Sequence, residues 1–119
     1  MAKKKRDDLV SLDDILDSIE KIEGYIHGMS EREFELNSEK QDAVIRRIEI
    51  IGEAVKNLSE KTREKYADIQ WRQIAGMRDV VIHQYFGVTI GLVWRVATSE
   101  IPALKEEIQQ IKDEIENGE

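Results

Sequence analysis

The sequence predicts an all-α fold, an antiparallel bundle of four to five helices. Three observations carry this expectation. Every apolar segment of any length repeats at spacings of three and four, and none alternates as a strand would. A single proline is available to interrupt helices. Charged residues make up 36% of the chain and mix both signs, as on the solvated faces of amphipathic helices. At 119 residues the chain is one domain with room for a real core, which dimerisation would enlarge.

Residues 1–8, with the run Lys3-Lys4-Lys5-Arg6, read as a disordered basic tail ahead of a single helical domain over 9–117. The first helix is expected to begin at Ser11, whose hydroxyl together with Asp14 forms a capping-box-like start. Leu12, Ile15, Leu16, Ile19, Ile22 and Ile26 then fall on one stripe, and Asp13, Asp17, Glu20 and Glu23 on the opposite face. Acidic clusters can hold divalent metal, but these lie beside Lys21 on a face read as solvated. The segment 27–37 breaks the period and reads as a loop, with His27 and Gly28 suiting a helix C-terminus rather than a ligand set.

A second helix is expected from Ser38, with Gln41 in the capping position, to about Leu58. Its seam is Val44, Ile48, Ile51, Val55 and Leu58, flanked by a polar stripe of Arg46, Glu49, Glu53 and Lys56 that can pair within itself. Gly52 costs this helix roughly 1 kcal/mol relative to alanine, which points to another element approaching closely there. A short polar helical turn at about 60–66 leads to Asp68, a candidate cap for a third main helix over about 69–85, ended by Gly87. Ile74, Met77, Val80 and Val81 are its expected core stripe. A fourth helix, about 90–99, carries Leu92, Val93, Trp94, Val96 and Ala97. Ser99 and Pro102 then suggest a break or kink before a last helix over about 100–117, with Ile101, Leu104, Ile108 and Ile111 on its stripe.

A net charge of -7 has the wrong sign for coating nucleic acid non-specifically, so any RNA contact is local. There is no cysteine, which excludes disulfides and thiolate metal sites and fits a reducing cytoplasm. The basic N-terminus is followed by no apolar core of a signal peptide, and no run of about 18 apolar residues offers a membrane span. No nucleotide-transfer motif, P-loop or Gly-rich phosphate cradle is present, and two histidines without an H-E-x-x-H spacing give a catalytic zinc little support. No cofactor and no metal are expected.

The third helix carries the chemistry. Arg78 lies four residues after Ile74 and four before Ile82, a charge at an apolar margin. Taken alone it reads as a structural arginine snorkelling to a carboxylate, and His83 invites the same caution. At 100° per residue, Arg78 and His83 point roughly 140° apart, so one copy of a straight helix does not bring them to one phosphate. A twofold axis through this helix would gather two arginines and two histidines in one cleft and supply both an acid and a base. Asp79, four residues before His83, lies where a carboxylate orients the ring, and Tyr85 returns to nearly the face of Arg78.

The run R-D-V-V-I-H-Q-Y, Arg78 to Tyr85, resembles the R-x4-H-x-Y signature of the HepT toxins, a family of the HEPN superfamily of helical RNases paired with minimal nucleotidyltransferase antitoxins. The blocks "AVIRRIEIIGEAVKNL", "IQWRQIAGMRDVVIHQYFGV" and "VWRVATSEIPAL" are similar to that family in the same order, covering nearly all of residues 9–112. The resemblance implies a HEPN-like all-α homodimer whose metal-independent RNase cleft is formed at the dimer interface by Arg78 and His83. It implies also a type VII-like toxin–antitoxin pair in which the antitoxin silences the toxin by attaching AMP to Tyr85. Asp79 and Thr89 depart from the Asn and Asp that the family often has. A competing expectation is a non-catalytic helical module that docks a nucleotidyltransferase and holds nucleotide phosphate through its Arg and His. A third is a plain structural bundle with a buried polar network of Arg78, Asp79 and His83.

Overall fold

The computed structural model describes residues 2–87 and 90–118, with side chains described for 5–79 and 90–118. Among these residues the structure is helical without strands. The elements are α1 (Ala2–Ile26), α2 (Glu31–Glu35), α3 (Ser38–Asn57), α4 (Glu60–Lys65), α5 (Trp71–Gly87), α6 (Ile90–Arg95), a π-helical turn at Val96–Glu100, and α7 (Ile101–Asn117).

Cross-helix contacts fix the directions. Along α1, Asp17 meets Arg47 of α3 and Asp8 meets Ser59 just past the end of α3, so residue numbers fall on one helix as they rise on the other. On α1 and α7, Asp13 pairs with Lys112 and Glu23 with Lys105, again antiparallel. The α1, α3 and α7 stripes expected from periodicity meet in one core: Leu12, Ile15, Ile19 and Ile22 pack with Val44, Ile48, Ile51 and Val55 and with Ile101, Leu104, Ile108 and Ile111. All twelve are essentially inaccessible to solvent. Fully burying one such aliphatic side chain contributes roughly 1.5–3 kcal/mol, so these seams dominate the stability of the fold.

Four local expectations change. First, α1 starts at Ala2, not Ser11, and the segment read as a solvated tail is its first two turns. Asp8 is the cause. Its carboxylate is buried and accepts from the Ser59 backbone N–H at 2.8 Å, from Ser59 Oγ at 2.7 Å and from Thr62 Oγ1. The bonds tie the start of α1 to the N-cap of α4, while Ser11 is a small buried residue within the helix.

Second, the segment 27–37 holds a short helix. Gly28 takes φ +72 after α1, and Ser30 with Glu33 forms a complete capping box for α2. Phe34 of α2 is fully buried, its ring centroid 5.3 Å from that of Trp94. Third, the cap of α3 is Asn37, whose side chain accepts from Lys40 N; Gln41 instead donates Nε2 to the carbonyls of Phe34 and Glu35, satisfying the end of α2. Fourth, α5 begins at Trp71, so Gln70 rather than Asp68 stands at its cap position, and the Gln70 carbonyl accepts from Ile74 N.

At Pro102 the expected break is a single wide turn. Ile101 N–H bonds to Val96 O, and α6 runs into α7 without a loop. Proline has no N–H to give the carbonyl four residues back, and a π-turn absorbs that missing bond without ending the helix. Thr98 Oγ1 donates to Trp94 O at 2.8 Å in the same stretch.

Candidate active site on the Arg78 helix

Helix α5 is held at its start by Trp71, a buried indole whose Nε1 donates to the carbonyls of Arg63 at 3.2 Å and Tyr66 at 3.0 Å. It then crosses α3 at Gly52. A Cβ built on Gly52 would lie 3.0 Å from Arg78 Cβ and 3.2 Å from Ala75 O. That is the close approach that a glycine in mid-helix implied, and its other party is the candidate arginine itself.

The crossing lays Arg78 along α3. Its Nη1 donates to Glu53 Oε1 at 3.2 Å and Oε2 at 3.1 Å. Glu53 thus pairs across helices and not within its own polar stripe, where Arg46 instead lies 3.7 Å from Glu49. The Arg78 side chain is 34% exposed and that of Glu53 50%, so the pair is solvated and contributes at most about 1 kcal/mol to stability. Its effect is orientation. Both bonds leave from one nitrogen, so the planar fork is not matched two-to-two with the carboxylate, and among the described residues its other donors are left for a second anion. Sequence reading missed Glu53 as the partner; its place directly after the anomalous Gly52 was the available signal.

Asp79 is exposed on the next position of α5. His83 and Tyr85 belong to the same helix, but their side chains lie outside the described residues, as does Thr89 altogether. The structure therefore brings together Arg78 and Glu53 and leaves the joining of Arg78 with His83 and Tyr85 untested. The expected core residues Ile74 and Met77 are only half-buried, and Gly76 meets no atom within 4 Å of a built Cβ. Position 83 comes seven residues after Gly76, two turns along the same side of the helix backbone.

Other candidates resolve into structural roles. Three of the four acids of the α1 face are engaged by cations: Asp13 with Lys112, Asp17 with Lys21 and Arg47, and Glu23 with Lys105. Among the described residues no three His, Asp or Glu side chains gather as a metal site would require. His27 is exposed past the end of α1. A cleft of about 390 Å³ between α5 and α7 has Ile74, Met77 and Leu104 as its floor and Glu100 and Glu107 at its edge, the wrong charge for a phosphate. No described helix is long and apolar enough to cross a membrane.

The chain matches the family described as Ribonuclease HepT-like over residues 15–111. It is 50% identical over 114 residues to the Methanocaldococcus jannaschii protein named "Gamma-glutamylcyclotransferase and putative RNase MJ0434", an alignment covering 96% of this chain and 51% of that protein. It thus spans about half the length of that relative. Two others are matched almost end to end. "Putative RNase MJ1216" of the same organism is 45% identical over 112 residues, covering 94% of this chain and 93% of its own. "Probable ribonuclease HepT" of Thermococcus cleftensis is 39% identical over 101 residues, covering 85% and 92%. No solved structure matches. The family match runs from the core stripe of α1 to that of α7 and includes the Gly52 crossing and Arg78: the chain belongs to the HepT-like family of the HEPN superfamily.

Proposed function

We propose that this protein is a metal-independent ribonuclease acting as a homodimer, the toxin of a toxin–antitoxin pair, with its site where two copies of α5 meet. One observation supports this most. Among the described residues Arg78 is bonded through Nη1 alone at the edge of α5, while on the side where position 83 falls a Cβ on Gly76 would meet no atom within 4 Å and Asp79 is exposed. A mid-helix glycine costs roughly 1 kcal/mol; Gly52 is accounted for by α5, whereas Gly76, like Gly24 of α1, has open space among the described residues where a Cβ would stand. A second copy of the helix crossing there would account for it and would bring the partner's histidine towards the arginine.

In the proposed reaction His83 takes the proton of a ribose 2'-OH, whose oxygen attacks the adjacent phosphorus. The P–O5' bond breaks, and the imidazolium of the symmetry-related histidine protonates the leaving 5'-oxygen. A 2',3'-cyclic phosphate and a 5'-hydroxyl result. Arg78 stabilises charge on the phosphorane, and Asp79 orients the imidazole. AMP on Tyr85, attached by a separate minimal nucleotidyltransferase in the cytoplasm, would set a phosphodiester anion near Arg78 and compete with substrate. The names of the relatives support RNA as substrate.

The test is single-stranded RNA incubated with purified protein and a chelator. Cleavage that Arg78→Ala and His83→Ala abolish supports the reading, and undiminished cleavage by His83→Ala refutes it. Intact mass after co-expression with the partner reads Tyr85: one adenylyl group, absent in Tyr85→Phe, is expected. The second reading, a non-catalytic module that docks the nucleotidyltransferase and binds nucleotide phosphate, draws on the net charge of -7 and on Arg78 already having a carboxylate beside it. It predicts the mass shift without cleavage.

A further inference from the structure

An acidic protein that acts on RNA needs some surface on which the phosphate chain can rest, and the sequence concentrates its cations on segments other than the Arg78 helix. The segments 2–8 and 56–66 hold eight cations and four carboxylates, whereas the rest of the chain holds ten and twenty-one. These segments adjoin in space because Asp8 accepts from Ser59 and Thr62. Consequently the first turns of α1, whose sequence carries Lys3, Lys4, Lys5 and Arg6, lead into the point where Asp8 joins the N-cap of α4, the helix that bears Lys61, Arg63 and Lys65.

The cations differ also in what they touch. The ion pairs of Lys21, Arg47, Lys105 and Lys112 knit α1 to itself and to its neighbours. Among the described residues no salt bridge involves Arg6, Lys61, Arg63 or Lys65, and Arg63 Nε is buried without a hydrogen-bond partner. Of the four carboxylates in these segments Asp8 faces inward and Asp7, Glu60 and Glu64 are exposed among the eight cations, so the patch keeps a positive excess; Glu114 of α7 is occupied, accepting from Tyr66 Oη at 2.6 Å.

We infer that the start of α1 together with α4 forms a docking surface for the phosphate backbone of single-stranded RNA, separate from the Arg78 cleft. It rests on the reading of RNA as substrate. Its job is to hold substrate that the remaining acidic surface repels, so it governs affinity and salt dependence, not the chemical step.

The probe is a 2'-O-methyl oligonucleotide, which has no nucleophile and so separates binding from cleavage. Fluorescence anisotropy with the full chain at several salt concentrations compares wild type with Lys3→Gln/Lys4→Gln/Lys5→Gln/Arg6→Gln, with Lys61→Gln/Lys65→Gln and with the control Lys21→Gln/Lys105→Gln. The quadruple variant is expected to bind on the order of tenfold more weakly at low salt, with the log–log salt slope reduced by about 0.7 for each phosphate no longer neutralised. The Lys61/Lys65 variant should show part of this weakening and the control none. Equal affinities and slopes for all four proteins overturn the inference, as does tighter binding of wild type to phosphatidylserine vesicles than to the oligonucleotide. Cleavage of ordinary RNA with no effect of the basic residues overturns this inference alone. Slope changes in a protein that never cleaves uphold it and overturn the nuclease reading.

Discussion

Gly52→Ala is the substitution on which the site geometry bears most heavily, because two effects of known size oppose each other. Alanine is favoured over glycine within a helix by about 1 kcal/mol, so at an open position the change stabilises. At Gly52 the new methyl would stand 3.0 Å from Arg78 Cβ and 3.2 Å from Ala75 O. Neither neighbour is the free end of a flexible side chain, so α5 as a whole has to move by some tenths of an ångström. Overpacking of this kind costs about 1–3 kcal/mol. The net expectation is a loss of roughly 1 kcal/mol, a fall in Tm of about 4 °C for a domain of this size. Urea and thermal unfolding by circular dichroism measure it, with Gly24→Ala as the internal comparison, since a methyl there meets nothing within 4 Å. Gly24→Ala should raise stability by about 0.5–1 kcal/mol. If Gly52→Ala is stabilised as much as Gly24→Ala, α3 and α5 are not in the contact described and the placement of Arg78 falls with it.

Asp8→Ala should cost about 1–3 kcal/mol by leaving the Ser59 N–H and two hydroxyls without their acceptor, read as a lower urea midpoint. Glu53→Gln should change stability by less than about 1 kcal/mol, the usual limit for a solvated pair, yet alter RNA cleavage through the orientation of Arg78; a purely structural pair would leave the cleavage rate unmoved. Tyr66 is pushed up from 10.0 to about 12, by burial first and then by the hydrogen bond and charge of Glu114. Because the folded value lies above the unfolded one, the protonated hydroxyl contributes fully below about pH 10 and its contribution is lost as pH rises through about 12. The stability difference between wild type and Tyr66→Phe should therefore vanish across that window in urea titrations, and a difference that grows with pH would contradict the assignment.

The bundle was legible because its three main seams are periodic and built from Ile, Leu and Val. Stripes such as Ile15-Ile19-Ile22 and Ile101-Leu104-Ile108 leave no other element type open. What stayed hidden depends on pairs distant in sequence. Asp8 looks like part of a solvated tail until Ser59 and Thr62 are beside it, and Ser11 then looks like a cap although it is buried. Phe34 was obscured by the polar residues around it, although Ser30 and Glu33 spelled the cap of its helix. At the site, Gly52 was correctly read as a point of close approach, but sequence alone did not say that the approaching residue is Arg78 or that Glu53 receives it. Gln41 misled for the opposite reason: a residue in a capping position was recruited by the neighbouring helix.

If one cleft requires both copies of the histidine, a covalently linked dimer with one wild-type and one His83→Ala copy tests that requirement directly. Shared acid and base catalysis predicts that this molecule cleaves RNA on the order of a hundredfold more slowly than the linked wild-type dimer, since removing either proton-transfer partner costs about 10²–10⁴ in rate. Retention of half the wild-type rate would mean that each copy works alone, and the shared cleft would have to be abandoned.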